Sequence, residues 1–141
     1  MSLSQDDHAA IQALYDMIVD AYATKNVEKA IEPYVSGNEL ILFDAIEPFR
    51  DVGIERLVHK TQEFFDNTIG KPEVEYTNVV ITTMGGAWAY SHCVFAARAS
   101  LKGGHKIDKK FRMTHVFRKI GDNWRIVHEH NSEPTPEPYA Q

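Results

Sequence analysis

The sequence predicts one α+β domain in which helices cover one face of a mainly antiparallel sheet. Two observations predict this class: apolar residues recur at helical spacing in the first half of the chain, and β-rich runs separated by glycine follow from about residue 73. A chain of 141 residues is long enough for one proper core and too short for two. Because the strands come after the helices, the helices are expected to pack over the sheet rather than between its strands.

Two helices are predicted before the first strand. The first begins after Ser4, a suitable N-cap, and its inward residues recur at helical spacing: Ile11, Leu14, Ile18 and Tyr22. Asn26 is a suitable cap for a short second helix, which Pro33 and Gly37 end. A first strand follows over residues 40–43.

A third helix is predicted over residues 54–67, before Gly70 and Pro72. Four strands then cover residues 73–84, 88–101, 110–120 and 124–130, and each junction between them contains glycine. We expect one folded domain over residues 1–132. Prolines alternate with acidic residues after that point, so residues 133–141 are predicted to form an extended tail.

Charge and cysteine content argue against several classes of protein. There are 15 basic and 20 acidic residues, a net charge of −5, which argues against binding to nucleic acid or to an anionic membrane. The single cysteine, Cys93, excludes an intramolecular disulfide and a cysteine-rich zinc site. No apolar run has the length of a membrane helix, and the first residues are polar and acidic, so we expect a cytoplasmic protein.

The order of elements and the ending WRIVHEHNS, residues 124–132, resemble the SnoaL-like branch of the nuclear transport factor 2-like superfamily. That superfamily includes ketosteroid isomerases, polyketide cyclases, limonene epoxide hydrolase and the association domain of calcium/calmodulin-dependent kinase. The resemblance covers nearly the whole chain. It implies a cone-shaped α+β fold, with three N-terminal helices packed on a curved sheet and a small hydrophobic ligand in the cavity, but one fold hosts many activities.

Two stretches carry this resemblance. The segment LFDAIEPFRDVG, residues 42–53, is similar to the ketosteroid isomerase segment that bears the general-base aspartate, and Asp44 falls on that position. The segment RMTHV, residues 112–116, resembles the kinase association domain, where a pocket arginine occupies the position of His115. The resemblance thus implies catalytic roles for Asp44 and His115.

The sequence also departs from the ketosteroid isomerase pattern. The oxyanion-hole tyrosine of those enzymes would fall near Ile18, and their protonated aspartate would fall near Arg112 or Met113. Both acidic donors are therefore replaced. Tyr15 and Tyr22 flank the first position within one helical turn.

Regular pairing of the last two strands about residues 121–122 sets His115 beside His128 and Met113 beside His130. The apolar neighbours of these residues make their face the predicted interior, whereas Glu129 would lie on the opposite face. Three imidazoles would then line one cavity wall, where they could exchange protons. The alternative is a buried hydrogen-bonding network without catalytic function.

Asp44 shares side-chain parity with Leu40 and Leu42, which predicts that it points into the cavity and acts as a base. The alternative is a turn aspartate that caps the loop to Pro48. Arg50 is a loop cation that would hold Asp44 or a substrate carboxylate.

Three histidines with Asp44 would also suit zinc or non-haem iron. The spacing of His128 and His130 is not a recognised metal motif, however, and the resembling families mostly work without metal. We therefore expect neither a metal nor another cofactor.

The remaining candidate ligand contacts are Tyr22, Phe43, Phe65, Trp88, His92, Met113, His128 and His130. His92 faces the cavity only if Trp88 and Tyr90 point inward. Residues 98–125 contain nine basic and two acidic residues. This basic stretch indicates either an anionic substrate or a solvated or dimer-facing surface.

The leading functional prediction is an isomerase- or cyclase-type enzyme. Asp44 would move a proton next to the carbonyl of a polyketide- or steroid-like substrate, and His115 would stabilise the oxyanion. Removing the Asp44 carboxylate should then abolish turnover without unfolding the protein. The rival prediction is a non-catalytic ligand-binding or dimerisation module. In either case we expect a homodimer through the strand face that carries Arg112, Val116 and Val127.

Overall fold

The computed structural model describes residues 5–139. The described helices are α1 (Gln5–Ala23), α2 (Val27–Ile31) and α3 (Ile54–Asn67), with a short 3₁₀ helix at Gly37–Glu39. The strands are β1 (Ile41–Phe43), β2 (Asp51–Val52), β3 (Thr68–Gly85), β4 (Trp88–Leu101), β5 (Lys106–Ile120) and β6 (Asn123–Ser132). Two of the three predicted helices precede β1, and the third follows β2.

The strands form one mixed sheet in the order β2-β1-β6-β5-β4-β3. The four long strands make an antiparallel meander, whereas β1 pairs parallel to β6. The parallel pairing puts Leu42 beside Glu129, so the segment after β1 runs along the same end of the sheet as the last residues of β6.

Helix α1 packs on the face of the sheet that we call the inner face. Its apolar side contributes Ile11, Leu14, Tyr15 and Ile18 to the main core, and the sheet contributes Ala89, Cys93, Met113, Phe117, Trp124 and Ile126. The start of the helix is anchored by Asp7, whose Oδ1 accepts from Lys119 Nζ at 2.9 Å and from Trp124 Nε1 at 3.0 Å.

Two smaller clusters complete the interior. One contains Val35, Leu40, Leu42 and Val127, and the other contains Ala21, Ala30 and Phe65. Tyr34 packs against the main core and the first of these clusters, and Tyr22 packs against the main core and the second. The three clusters therefore meet at these two tyrosines.

Most predicted elements are confirmed. Asn26 caps α2, since its Oδ1 accepts from Lys29 N at 3.1 Å. The bounds predicted for the third helix agree with α3. The N-cap prediction for Ser4 lies outside the described residues.

Two parts of the chain differ from prediction. Strand β3 begins directly after α3 and runs through Gly70 and Pro72, where a loop was expected. Proline is tolerated there because β3 is an edge strand and Pro72 lies between Ile69 and Glu73, where a register shift interrupts the pairing with β4. The two-residue strand β2 is too short to give a sequence pattern.

A β-bulge changes the register of the last hairpin. Phe117 pairs with Ile126, but Val116 pairs with His128, so Val127 is an extra residue on β6. The predicted regular pairing is confirmed between this point and the turn and is wrong beyond it. Since side chains alternate across a strand, one extra residue exchanges the faces of everything that follows.

None of the helices within residues 5–139 is long and apolar enough to cross a membrane. The described part of the predicted tail, residues 133–139, contains no helix or strand.

Candidate active site

The bulge turns a carboxylate into the interior. Glu129 is 8% exposed, and both of its hydrogen bonds end on Oε1. His115 Nε2 lies 2.7 Å from this oxygen, and the Tyr34 hydroxyl donates to it at 2.6 Å. Within the described chain no group bonds Oε2, so one half of the carboxylate is held and the other is available.

These contacts keep Glu129 ionised. Burial favours the protonated acid, but the hydrogen bond and charge of His115, together with the Tyr34 hydroxyl, outweigh it and lower the pKa of Glu129. The carboxylate can therefore accept a proton at neutral pH.

His115 is held at both ring nitrogens. Its Nδ1 lies 2.8 Å from the hydroxyl of Tyr15, which also makes a short hydrogen bond with Ser91 Oγ. Because an ionised carboxylate can only accept, Nε2 carries the proton that faces Glu129. His115 and Ser91 are completely buried, so the imidazole orients Glu129 and does not itself reach a ligand in this conformation.

The charge of Glu129 acts on three tyrosines, of which Tyr34 bonds it directly. Burial raises the pKa of Tyr22, Tyr34 and Tyr76, and the negative charge of Glu129 raises each of them further. All three side chains are nevertheless partly exposed. These side chains mark the part of the interior that we call the recess, and Glu129 belongs to it through its hydrogen bond with Tyr34.

Several polar groups in this recess have no protein partner. Asn131 Oδ1 is the one buried side-chain polar atom that lacks a hydrogen bond in the described structure. The hydroxyls of Tyr22 and Tyr76 also bond none of the described residues, and because they are not among such buried atoms they are open to water or to a ligand. The recess thus holds polar groups without a protein partner as well as a carboxylate oxygen that none of residues 5–139 bonds.

Asp44 lies at the edge of this region. It follows β1, and its negative charge contributes to raising the pKa of Tyr22. Its Oδ1 accepts from the backbone N of Ala45 at 2.7 Å, and its Oδ2 accepts from Lys60 Nζ at 3.2 Å. These contacts have the geometry of the turn aspartate that was the alternative interpretation.

The prediction that three imidazoles line one cavity wall is wrong. Beyond the bulge, His115 lies opposite Glu129, and the two β6 histidines point to the other side of the sheet, the outer face. There His130 is exposed, and His128 donates from Nδ1 to the carbonyl of Ile41 at 2.8 Å. The ring of Phe43 lies between them, with centroids 5.1 Å from His128 and 5.2 Å from His130.

The other candidate contacts divide between the two faces. Tyr22, Phe65 and Met113 belong to the interior clusters. Trp88 and His92 are exposed on the outer face of β4, because it is Ala89, Ser91 and Cys93 that point inward. Arg50 is exposed in the loop between β1 and β2.

The described residues contain no group of three or more His, Cys, Asp or Glu side chains arranged to hold a metal ion. Cys93 lies in the core, where burial and the charge of Glu129 raise its thiol pKa to about 11.

Sequence reasoning missed Glu129, Ser91, Tyr34 and Tyr76. Burial of Tyr15, the partner of His115, could have been predicted, because Tyr15 continues the helical spacing of Ile11 and Leu14. Glu129 could not be found in this way, because nothing in the sequence marks Val127 as a bulge.

Comparison with known proteins is consistent with this fold. The family model for the SnoaL-like domain matches residues 11–136. A protein of unknown function from Pseudomonas putida, described as nuclear transport factor 2-like, has a solved structure that superposes with a TM-score of 0.79 at 20% identity, covering 99% of this chain and 94% of that one.

Two other solved structures are similar. A ketosteroid isomerase-like protein from Erwinia carotovora gives a TM-score of 0.73 at 18% identity, covering 94% of this chain and 100% of that one. A candidate dehydratase of the same fold family from Streptomyces avermitilis gives 0.78 at 14% identity, covering 94% and 99%. No curated protein matches the sequence significantly. The solved structures show that the fold is nuclear transport factor 2-like, and the extent of the family match shows that this chain belongs to the SnoaL-like domain family.

Proposed function

We propose that this protein is a small-molecule enzyme of the isomerase or dehydratase type, in which Glu129 takes a proton from a carbon next to a carbonyl group. One observation carries the proposal: a buried, ionised carboxylate is held at Oε1 by two donors and is free at Oε2. This is how a general base is fixed in position and yet remains open to a substrate.

The reaction follows from the groups in the recess. Glu129 Oε2 would take the proton, the electron pair of the C–H bond would move to the carbonyl oxygen, and a free hydroxyl of Tyr22 or Tyr76 would donate to the resulting enolate. Return of the proton to another carbon gives isomerisation. If the neighbouring carbon carries a hydroxyl group, the enolate electron pair returns to form a C=C bond, and the hydroxyl takes the proton from Glu129 and leaves as water, which gives dehydration.

In this scheme His115 and Tyr34 are positioning residues. They fix the carboxylate and keep it ionised, and they do not touch the substrate. Asp44 is the rival base, but its two oxygens already accept from Ala45 and Lys60. We therefore assign the proton transfer to Glu129.

The charges favour an uncharged, hydrophobic substrate. The negative charge of Glu129 would repel a carboxylate or a phosphate. The basic stretch supplies no compensating cation, since Arg98, Lys109 and Arg112 are exposed at the surface. Apolar and aromatic side chains line the interior, which suits a polyketide- or steroid-like ring.

The test compares two carboxylates. Glu129→Gln keeps the size of the side chain but cannot accept the proton, so catalysed exchange of α-protons for deuterium should fall about 100-fold or more. Exchange would be followed by NMR in D₂O across a panel of cyclic ketones. Asp44→Asn is the matched control and should retain most of the rate. If Asp44→Asn abolishes exchange and Glu129→Gln does not, the base is Asp44.

A second proposal concerns assembly. The outer face leaves large apolar side chains in water, among them Phe43, Val80 and Trp88, which are 37%, 47% and 40% exposed. Apolar groups gathered on one face are typical of a protein contact. We propose that this face joins two copies of the chain.

A further inference from the structure

Asn131 is the least explained polar residue in the interior. Its Oδ1 is buried without a partner, whereas its Nδ2, which also bonds none of residues 5–139, is not a buried atom. A buried amide oxygen that accepts no hydrogen bond lowers stability, because its contacts with water are lost and not replaced. A residue with only a structural role would not be expected to carry this cost.

Its position relates Asn131 to the candidate base. Asn131 lies two residues after Glu129 on β6, so both side chains point to the inner face, about 7 Å apart along the strand. It pairs with Met113, a member of the main core.

We propose that Asn131 is a second ligand contact in the recess, and that it binds a neutral group that both donates and accepts a hydrogen bond, such as a carboxamide, phenol or alcohol. This inference rests on the proposed function, since it assigns a substrate feature to the same recess. A half-turn of the carboxamide interchanges Oδ1 and Nδ2, so either atom can face the ligand.

The spacing restricts the ligand. Its hydrogen-bonding group lies about 7 Å from the carbon that Glu129 deprotonates, which is roughly the distance across a six-membered ring and its substituent. A purely hydrocarbon substrate would leave Asn131 unbonded. The inference therefore points to a ring that carries a carbonyl at one end and a neutral polar group at the other.

The first measurement is stability without a ligand. Asn131→Leu keeps the number and branching of the side-chain heavy atoms and removes the unbonded amide, so its urea midpoint should be higher than that of the unchanged protein. Ser91→Ala is the control, because Ser91 bonds Tyr15 and its loss should lower the midpoint. A lower midpoint for Asn131→Leu overturns the inference, since it would mean that Asn131 already has a partner, such as a bound water.

The second measurement uses two probes, benzamide and N,N-dimethylbenzamide, with binding followed by ligand-observed NMR. Only benzamide can donate from its amide. The unchanged protein should bind it about fivefold more tightly, and Asn131→Leu and Asn131→Ala should lose this preference. Equal binding by the unchanged protein, or a preference that survives in both variants, overturns the inference. Neither result affects the comparison of Glu129→Gln with Asp44→Asn, so the two proposals fail separately.

Discussion

Asp51 shows how a single buried charge is stabilised in this protein. It is 3% exposed, and its carboxylate accepts from Arg56 Nε at 2.9 Å and from Lys60. Asp51→Asn removes the charged partner of Arg56 and leaves Lys60 with Asp44 alone, so it should lower the free energy of unfolding by about 2 kcal/mol, measured in urea. Asp20→Asn is the control: Asp20 pairs with Lys29 at the surface, and its loss should cost about 0.5 kcal/mol or less. Equal losses in the two variants would contradict this assignment.

The same residue gives a pH dependence. Burial works against ionisation, but the hydrogen bonds from Lys60 and Arg56 outweigh it and lower the pKa of Asp51. Its stabilising contribution is therefore complete above the ordinary carboxyl pKa and disappears as the pH falls through the lowered value. Stability should decline less steeply with acid in Asp51→Asn. The remaining decline should come in part from Glu129, whose pKa is lowered too.

The sequence predicts whether a residue is buried better than it predicts which residues it contacts. The alternation of β5 places His115 inside, and it is fully buried. Its partners come from α1 and β6, which are 100 and 14 residues away in sequence. The alternation of residues within one strand predicts which face of the sheet a side chain lies on. Its contacts also depend on how the neighbouring strands are aligned.

At the scale of elements, Val127 decides the composition of the candidate site. Helix and strand positions followed from periodicity, and the turns followed from glycine. The bulge did not, because Val127 is as suitable for a regular strand as its neighbours are. The shift replaced an expected histidine wall with a carboxylate held by one histidine. The fold was therefore predictable from the sequence, and the chemistry of the recess was not.

The cap of α2 supports a second prediction at this scale. A five-residue helix cannot be stable by propensity alone, so the bond from Lys29 N to Asn26 Oδ1 has a large share in fixing it. Asn26→Ala should lower the free energy of unfolding by about 1 kcal/mol, whereas Asn26→Asp should retain most of it. Urea unfolding measures both. If the two variants lose the same amount, the side-chain oxygen is not what stabilises α2.

At the scale of the whole molecule, the two faces of the sheet have different chemistry. The inner face carries the core and two buried, held carboxylates, Glu129 and Asp51, which lie in one cross-strand row on either side of Leu42. The outer face carries a cross-strand row in which His92, Thr114 and His130 lie between Val80 and Phe43. Polar residues in the middle of an apolar row suit a contact that contains hydrogen bonds. The recess and the outer face can therefore have separate functions, one in binding and one in assembly.

That separation makes assembly testable by itself. Two copies of a 16.0 kDa chain should give about 32 kDa in sedimentation or light scattering. Val80→Lys places a charge in the proposed contact and should give a monomer, because a buried unpaired lysine costs several kcal/mol. Val58→Lys is the matched control: Val58 is 38% exposed, but it lies on α3 rather than on the outer face. It should leave the dimer intact. A dimer that survives Val80→Lys, or that Val58→Lys disrupts equally, would move the interface away from the outer face.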